Sequence, residues 1–197
     1  MPGTRPKLIL ASASPRRLAL LRQAGYAPDS VLAAGIDETA RPGELPRGLA
    51  ARLAAEKARA VARNCPDAWV LAADTVVACG RRILPKPATA DEARDCLALL
   101  SGRRHRVFGG VHVIDPAGRE RARSVVTAVV FKRLAAGEIA AYAAGGEWRD
   151  KAGGYAIQGR AGTFVRSLNG SYFNVVGLPL YETATLLEGL GLRRPEG

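Results

Sequence analysis

Little in the chain suits soft metals or base stacking. Its 197 residues hold three cysteines (Cys65, Cys79, Cys96) and two histidines (His105, His112). No CxxC pair exists, and neither histidine has an acidic or cysteine neighbour at ligand spacing, which argues against zinc. An odd number of scattered cysteines favours a reducing compartment over secretion. The longest apolar runs fall far short of a membrane span, and Leu8–Ala11 is too brief for a signal-peptide core. These absences predict a soluble cytoplasmic domain that neither spans nor docks on a membrane. Aromatic residues make up only 6% of the chain and do not interleave with its arginines. A base-stacking nucleic-acid surface is therefore disfavoured despite a net charge of +11. A Walker GxxxxGK[ST] loop and a Glu-rich Nudix-type helix are both missing.

What remains is a chain that is 48% apolar, enough for one sizeable core, and residues 1–197 read as a single domain. The basic excess, mostly arginine, is spread along the chain and reads chiefly as solvated surface. Residues 8–11 read as a strand and Pro15 to about Ala24 as a helix, with Gly25 as its stop. Gly35–Glu44 reads as a loop, and helices are predicted over 46–63, from Thr89 to near Gly102, over 137–144, and from Leu180 to about Glu188. Thr89 and Glu92 have capping-box spacing. Strands are predicted over 68–79, 104–114 and 121–132, the last two antiparallel across Asp115–Gly118. Thr163–Leu168 and Phe173–Val176 read as strand-like on either side of an Asn169-Gly170 turn. Mixed order of helices and strands indicates an α/β fold with a mixed sheet.

The most informative stretch is Leu8–Gly25. An apolar strand ends in two serines and opens directly into a helix with Ser14 as N-cap and Pro15 in the first turn. Free backbone N–H groups, two hydroxyls and the guanidinium groups of Arg16 and Arg17 converge there, a combination that attracts a phosphate chain.

Three charges break their local pattern, and such breaks tend to mark sites. Asp74 interrupts the buried-strand run Val70–Ala78. A lone carboxylate there costs several kcal/mol (about 3 or more) unless it is paired, hydrogen-bonded or metal-bound. Lys57 shares an i+4 row with Leu49, Leu53 and Val61, on the apolar stripe of its helix. Lys86 stands between Pro85 and Pro87 on a stiffened stretch of chain. Glu38, in Gly35-Ile-Asp-Glu38, is the second carboxylate that a divalent ion beside Asp74 would require; oxygen ligands without His or Cys suit Mg2+ or Mn2+. His105 and His112 read as structural, and Tyr155 and Tyr172 as packing residues near the cleft.

Together these pieces closely resemble the Maf family of nucleoside triphosphate pyrophosphatases over about residues 7–190. The markers are Ser12-Ala-Ser-Pro-Arg-Arg17, Gly35-Ile-Asp-Glu38, Ala55-Glu-Lys-Ala58, Ala73-Asp-Thr75, Lys86-Pro87, Leu100-Ser-Gly102, Asp150-Lys-Ala-Gly-Gly-Tyr-Ala-Ile-Gln-Gly159, Asn169-Gly-Ser-Tyr172 and Val176-Gly-Leu-Pro179. The form around Gln158 is similar to the branch acting on dTTP and UTP rather than the sister branch that prefers 7-methyl-GTP. Pro85 stands where the family often has Gly or Glu, and Gly109 where Thr is common.

The resemblance implies a curved mixed sheet with flanking helices and two lobes around a cleft. It implies hydrolysis between the α- and β-phosphates with a divalent cation, and a homodimer, although no interface is legible in the residues. Ser12, Arg16, Lys57 and Lys86 would hold phosphate, Glu38 and Asp74 the metal, and Arg17, Thr75 and Gln158 the base. Asp74 is implied as general base. Direct metal ligation weakens a carboxylate as a base, so two versions stay open: Asp74 as proton acceptor, or Asp74 as the ligand that holds the ion and orients water. The rival readings are 7-methyl-GTP hydrolysis and a regulatory binding role in septum formation. A purely binding module gives no reason for Asp74 in an apolar strand.

Overall fold

The computed structural model describes residues 6–193. Seven strands form one mixed sheet in the order β2-β1-β3-β5-β6-β7, with β4 also pairing β3. They are β1 (Leu8–Leu10), β2 (Ser30–Val31), β3 (Trp69–Cys79), β4 (Arg82–Leu84), β5 (Arg104–Ile114), β6 (Glu120–Phe131) and β7 (Val165–Asn169). β1 runs parallel to β2 and β3, and the other pairings are antiparallel. The helices are α1 (Pro15–Gln23), α2 (Pro46–Ala62), α3 (Ala90–Leu100), α4 (Ala136–Gly145), α5 (Tyr172–Val176) and α6 (Leu180–Leu190). Among the described residues no helix is long and apolar enough to cross a membrane.

β3 is the spine of the molecule. Helices cover both faces of the sheet, so its sequence is a nearly continuous apolar run. On one face Val70, Ala72 and Val76 meet the α2 side chains Leu53, Ala58 and Val61. On the other face the core divides. Leu71 and Ala73 join Leu10, Leu21 and Leu187 at one end, while Val77 joins Leu97, Phe131, Tyr142 and Tyr155 at the other. Thr75, between Ala73 and Val77 on that same face, falls in the gap between the two packed clusters. The edge of β3 has a matching gap: β1 pairs as far as Leu71 and β4 begins at Val77. Asp74 and Thr75 lie on this uncovered stretch, where the chain leaves β1 and turns into α1.

The expected α/β class with a mixed sheet is what the chain forms, and the three long strands and four longer predicted helices lie close to their predicted spans. The Thr89 hydroxyl accepts from Glu92 N at 3.2 Å, while the Glu92 carboxylate reaches Ala88 N at 2.8 Å, one residue before the partner a capping box would give it. Two expectations are corrected. Phe173–Val176 lies in helix α5, because Ser171 caps it through Asn174 N at 3.2 Å and Gly177 ends it at φ 138°. Thr163 and Phe164 close a 3-10 turn over Arg160–Phe164, so β7 starts only at Val165. The short β2 carried no signal in sequence.

Gly109 and Gly110 let neighbouring elements come close to the sheet. A Cβ on Gly109 would fall 1.9 Å from Asn174 Oδ1, so the residue that replaces the family's frequent Thr is the one that leaves room for α5. A Cβ on Gly110 would lie 2.2 Å from the backbone oxygen of Ala50 in α2, which cannot swing aside as a side chain would. Gly110→Ala is therefore expected to lift α2 and cost about 3 kcal/mol by overpacking, read as a lower urea midpoint at unchanged m-value.

Candidate functional site

Beside the uncovered edge of β3 lies a cavity of about 700 Å3. All nine residues singled out from the sequence (Ser12, Arg16, Arg17, Glu38, Lys57, Asp74, Thr75, Lys86 and Gln158) line it. They come from the β1–α1 turn, the first turn of α1, the loop before α2, α2 itself, β3, the segment after β4 and the glycine-rich stretch before β7.

The pattern-breaking charges resolve into one ionic cluster. Lys57 Nζ lies 2.6 Å from Asp74 Oδ1 and 2.7 Å from Glu38 Oε1, and Lys86 Nζ lies 3.2 Å from Glu38 Oε2. Lys57 thus does not snorkel: it is 6% exposed, and Asp74 is 5% exposed. Burial works against ionisation of Glu38, but Lys57 and Lys86 outweigh it and hold its carboxyl below the usual range.

Arg17 is fixed on three sides. Its Nε donates to Gly177 O at 2.9 Å, Nη1 to Ser12 Oγ at 3.1 Å and Nη2 to Thr75 Oγ1 at 3.2 Å. Burial pulls its pKa down, and Asp74 offsets part of that effect. The Thr75 hydroxyl, accepting from Arg17, directs its own proton toward Gly177 O at 3.5 Å. A guanidinium carries five N–H groups, so two of Arg17's stay available, next to a lone pair of Thr75. Arg16 turns elsewhere: its Nη2 donates to Asp150 O at 3.1 Å. Gln158 is exposed along the cavity.

Arg149, Asp150 and Lys151, to which the sequence assigned no role although the last two open a family marker, also line the cavity. Their signal in sequence is a charged triplet directly before Ala152-Gly-Gly. Cationic side chains on the wall outnumber carboxylates six to three, which suits a polyanion. Tyr155 is buried and lines the cavity as expected, whereas Tyr172 is 41% exposed and does not line it.

Both histidines are structural. His105 Nε2 lies 2.8 Å from the Tyr155 hydroxyl, and His112 Nε2 lies 2.9 Å from Glu120 Oε2. Burial pushes His105 down to about 4 from 6.5, and it also lowers His112 although Glu120 opposes the shift. Between those two pH values the unfolded chain binds a proton that folded His105 refuses. Stability is thus full above pH 6.5 and falls as pH drops toward 4. The expected slope from His105 is at most about 1.4 kcal/mol per pH unit, and a urea series across the window should show it weakened in His105→Phe.

A family model described as "Maf-like protein" matches residues 7–190. The chain belongs to the Maf family. Among Maf relatives, a protein named dTTP/UTP pyrophosphatase from Maricaulis maris is 64% identical over 187 residues, covering 95% of this chain and 89% of the relative. Proteins of the same name from Paramagnetospirillum magneticum and Caulobacter vibrioides are 62% and 60% identical, covering 93% and 95% of this chain and 97% of each relative. Among solved structures, a HAM1 protein from Coxiella burnetii superposes with a TM-score of 0.44 at 14% identity, covering 66% of this chain and 74% of its own.

Proposed function

We propose that this Maf protein is a nucleoside triphosphate pyrophosphatase that hydrolyses dTTP and UTP to the monophosphate and pyrophosphate, clearing nucleotides from the cytoplasmic pool. The observation that carries the reading is the Lys57–Asp74 pair at 2.6 Å on the uncovered edge of β3, within a cavity rich in cations.

In the reaction, water oxygen bonds to the α-phosphorus while the bond from that phosphorus to the oxygen bridging the β-phosphate breaks. Lys57 engages Oδ1 of Asp74, which leaves Oδ2 to take the proton from water. Arg16, Lys57 and Lys86 offset the charge on the phosphate chain, and most of all the charge that builds on the leaving pyrophosphate. The Ser12 hydroxyl and the backbone N–H of Arg16, left over in a first turn where Pro15 has no N–H and the Arg17 N–H is capped by Ser14, add hydrogen bonds to phosphate oxygens.

Glu38 and Asp74, one on each side of the Lys57 ammonium, are a fitting donor set for Mg2+ or Mn2+, which take one or two carboxylates and complete their shell with phosphate and water; with Oδ2 in that shell, Asp74 would orient the water rather than take its proton. Among the described residues no group of three or more His, Cys, Asp or Glu could hold a metal, so the substrate's own oxygens would supply the remainder. Such an ion would contribute charge neutralisation on the phosphates.

The base is read by a donor beside an acceptor. Arg17 can only donate, and the neighbouring Thr75 oxygen is left to accept, which matches O4 and N3–H of uracil and thymine. Cytosine presents the reverse, and while the Gln158 amide could flip to suit it, the Arg17–Thr75 pair cannot. Pyrophosphate release from dTTP, UTP, CTP, 7-methyl-GTP and modified triphosphates, with Mg2+ or Mn2+, tests this. The expected result is a preference for dTTP and UTP over CTP of about tenfold or more in kcat/KM. A preference for CTP or for 7-methyl-GTP would overturn the reading.

A further inference from the structure

The mechanism above leaves two cations of the cavity wall unused, Arg149 and Lys151. Arg149 is engaged elsewhere, its guanidinium 5.0 Å above the Trp148 ring. Lys151 is not. Its Nζ donates to a neutral backbone oxygen, Arg149 O, at 3.0 Å. Among the described residues it makes no ion pair, unlike Lys57 and Lys86.

Its position is fixed by bonds on both sides. The carbonyl of Asp150 accepts from Arg16 at 3.1 Å, and Gly153 N donates to Pro85 O at 2.9 Å, one residue before Lys86. The short segment carrying Lys151 is thus tied at one end to Arg16 and at the other to the base of Lys86. Asp150 at φ 58° and Gly153 at φ 72° are both left-handed, and a Cβ on Gly153 would lie 2.9 Å from Val77 of β3. Such a wrap holds its shape because it is packed against the central strand and clamped by Arg16. Burial and then the charge of Arg16 lower the pKa of Lys151, with Asp150 and Glu147 opposing them. A partly desolvated ammonium beside a guanidinium, hydrogen-bonded only to a carbonyl and with Asp150 and Glu147 acting on it from beyond ion-pair distance, gains from an anion that joins the two.

We propose that Lys151 is a further substrate-binding residue, which with Arg16 grips the phosphates beyond the scissile bond, the portion that departs as pyrophosphate. The inference rests on the pyrophosphatase reading and deepens it. It assigns the two ends of the nucleotide to different walls: the base to Arg17 and Thr75, the terminal phosphates to Arg16 and Lys151. The enzyme then selects triphosphates because a diphosphate leaves this pair of cations half satisfied.

Calorimetric titration of the full chain with inorganic pyrophosphate, and separately with UMP, tests the assignment in the wild type, Lys151→Met and Lys151→Arg. Lys151→Met is expected to weaken pyrophosphate binding by about tenfold or more while leaving UMP within about twofold, because one charge-assisted hydrogen bond is lost at one end of the site only. Lys151→Arg is expected to restore most of the affinity, and kinetics of the Met variant should show a raised KM for UTP with less discrimination against UDP. Unchanged pyrophosphate affinity in Lys151→Met, an equal loss for UMP, or no pyrophosphate binding by the wild type overturns the proposal. Binding is read here without turnover. A wild type that shows this pattern and yet hydrolyses no UTP would overturn the pyrophosphatase reading and leave the anion subsite standing.

Discussion

Asp74→Asn is expected to lower kcat for UTP by about a thousandfold, within the range for losing a positioned proton acceptor, with the fold intact. The amide oxygen of Asn can still accept from Lys57 at the place of Oδ1, so the buried ammonium keeps a partner there and Glu38 as its second. What disappears is the carboxylate oxygen that takes the proton and the negative charge beside the phosphates. Substrate binding should therefore hold or tighten while turnover fails. Pyrophosphate release, a binding titration with UTP and a circular dichroism melt would separate these effects. Near-normal kcat, or a protein that no longer folds, would contradict the role given to Asp74.

Lys57→Met is expected to damage both activity and stability, for a different reason. Lys57 sits between two carboxylates, at 2.6 Å from Asp74 and 2.7 Å from Glu38. Removing it leaves two negative groups facing one another, one of them almost fully buried. Breaking a buried pair from one side costs about 3 kcal/mol or more. Protonation of either carboxylate relieves the repulsion, so the stability gap between variant and wild type should be widest at neutral pH and narrow toward pH 5. Turnover should drop by about a hundredfold or more, because the leaving group loses a compensating charge. Urea unfolding at two pH values checks the first effect and steady-state kinetics the second. A gap that widens in acid would show that the cluster is not held together in this way.

The same three charges explain why the site was legible in the sequence. Asp74 in an apolar strand, Lys57 on an apolar helix stripe and Lys86 between prolines each violate their local pattern, and the structure brings all three to one cavity. The long strands were equally readable, since β3, β5 and β6 carry enough residues for their composition to dominate. α5 was misread because Tyr172–Val176 is rich in aromatic and β-branched residues, while what makes it a helix is a cap at Ser171 and a stop at Gly177. Two paired residues at β2 are too few for any periodicity. Lys151 breaks no local pattern, since it stands in a charged triplet, and its lack of an ion pair among the described residues exists only in three dimensions.

The wiring of Arg17 bears on how such an enzyme could change its diet. The guanidinium that offers N–H groups to the base also fastens α1 to the carbonyl of Gly177, 160 positions along the chain, and to Thr75 on the central strand. Discrimination and architecture share one side chain. A lineage, or an engineer, seeking a new nucleobase cannot simply exchange this arginine; the seam between the first and last thirds of the polypeptide has to be resewn by another residue first.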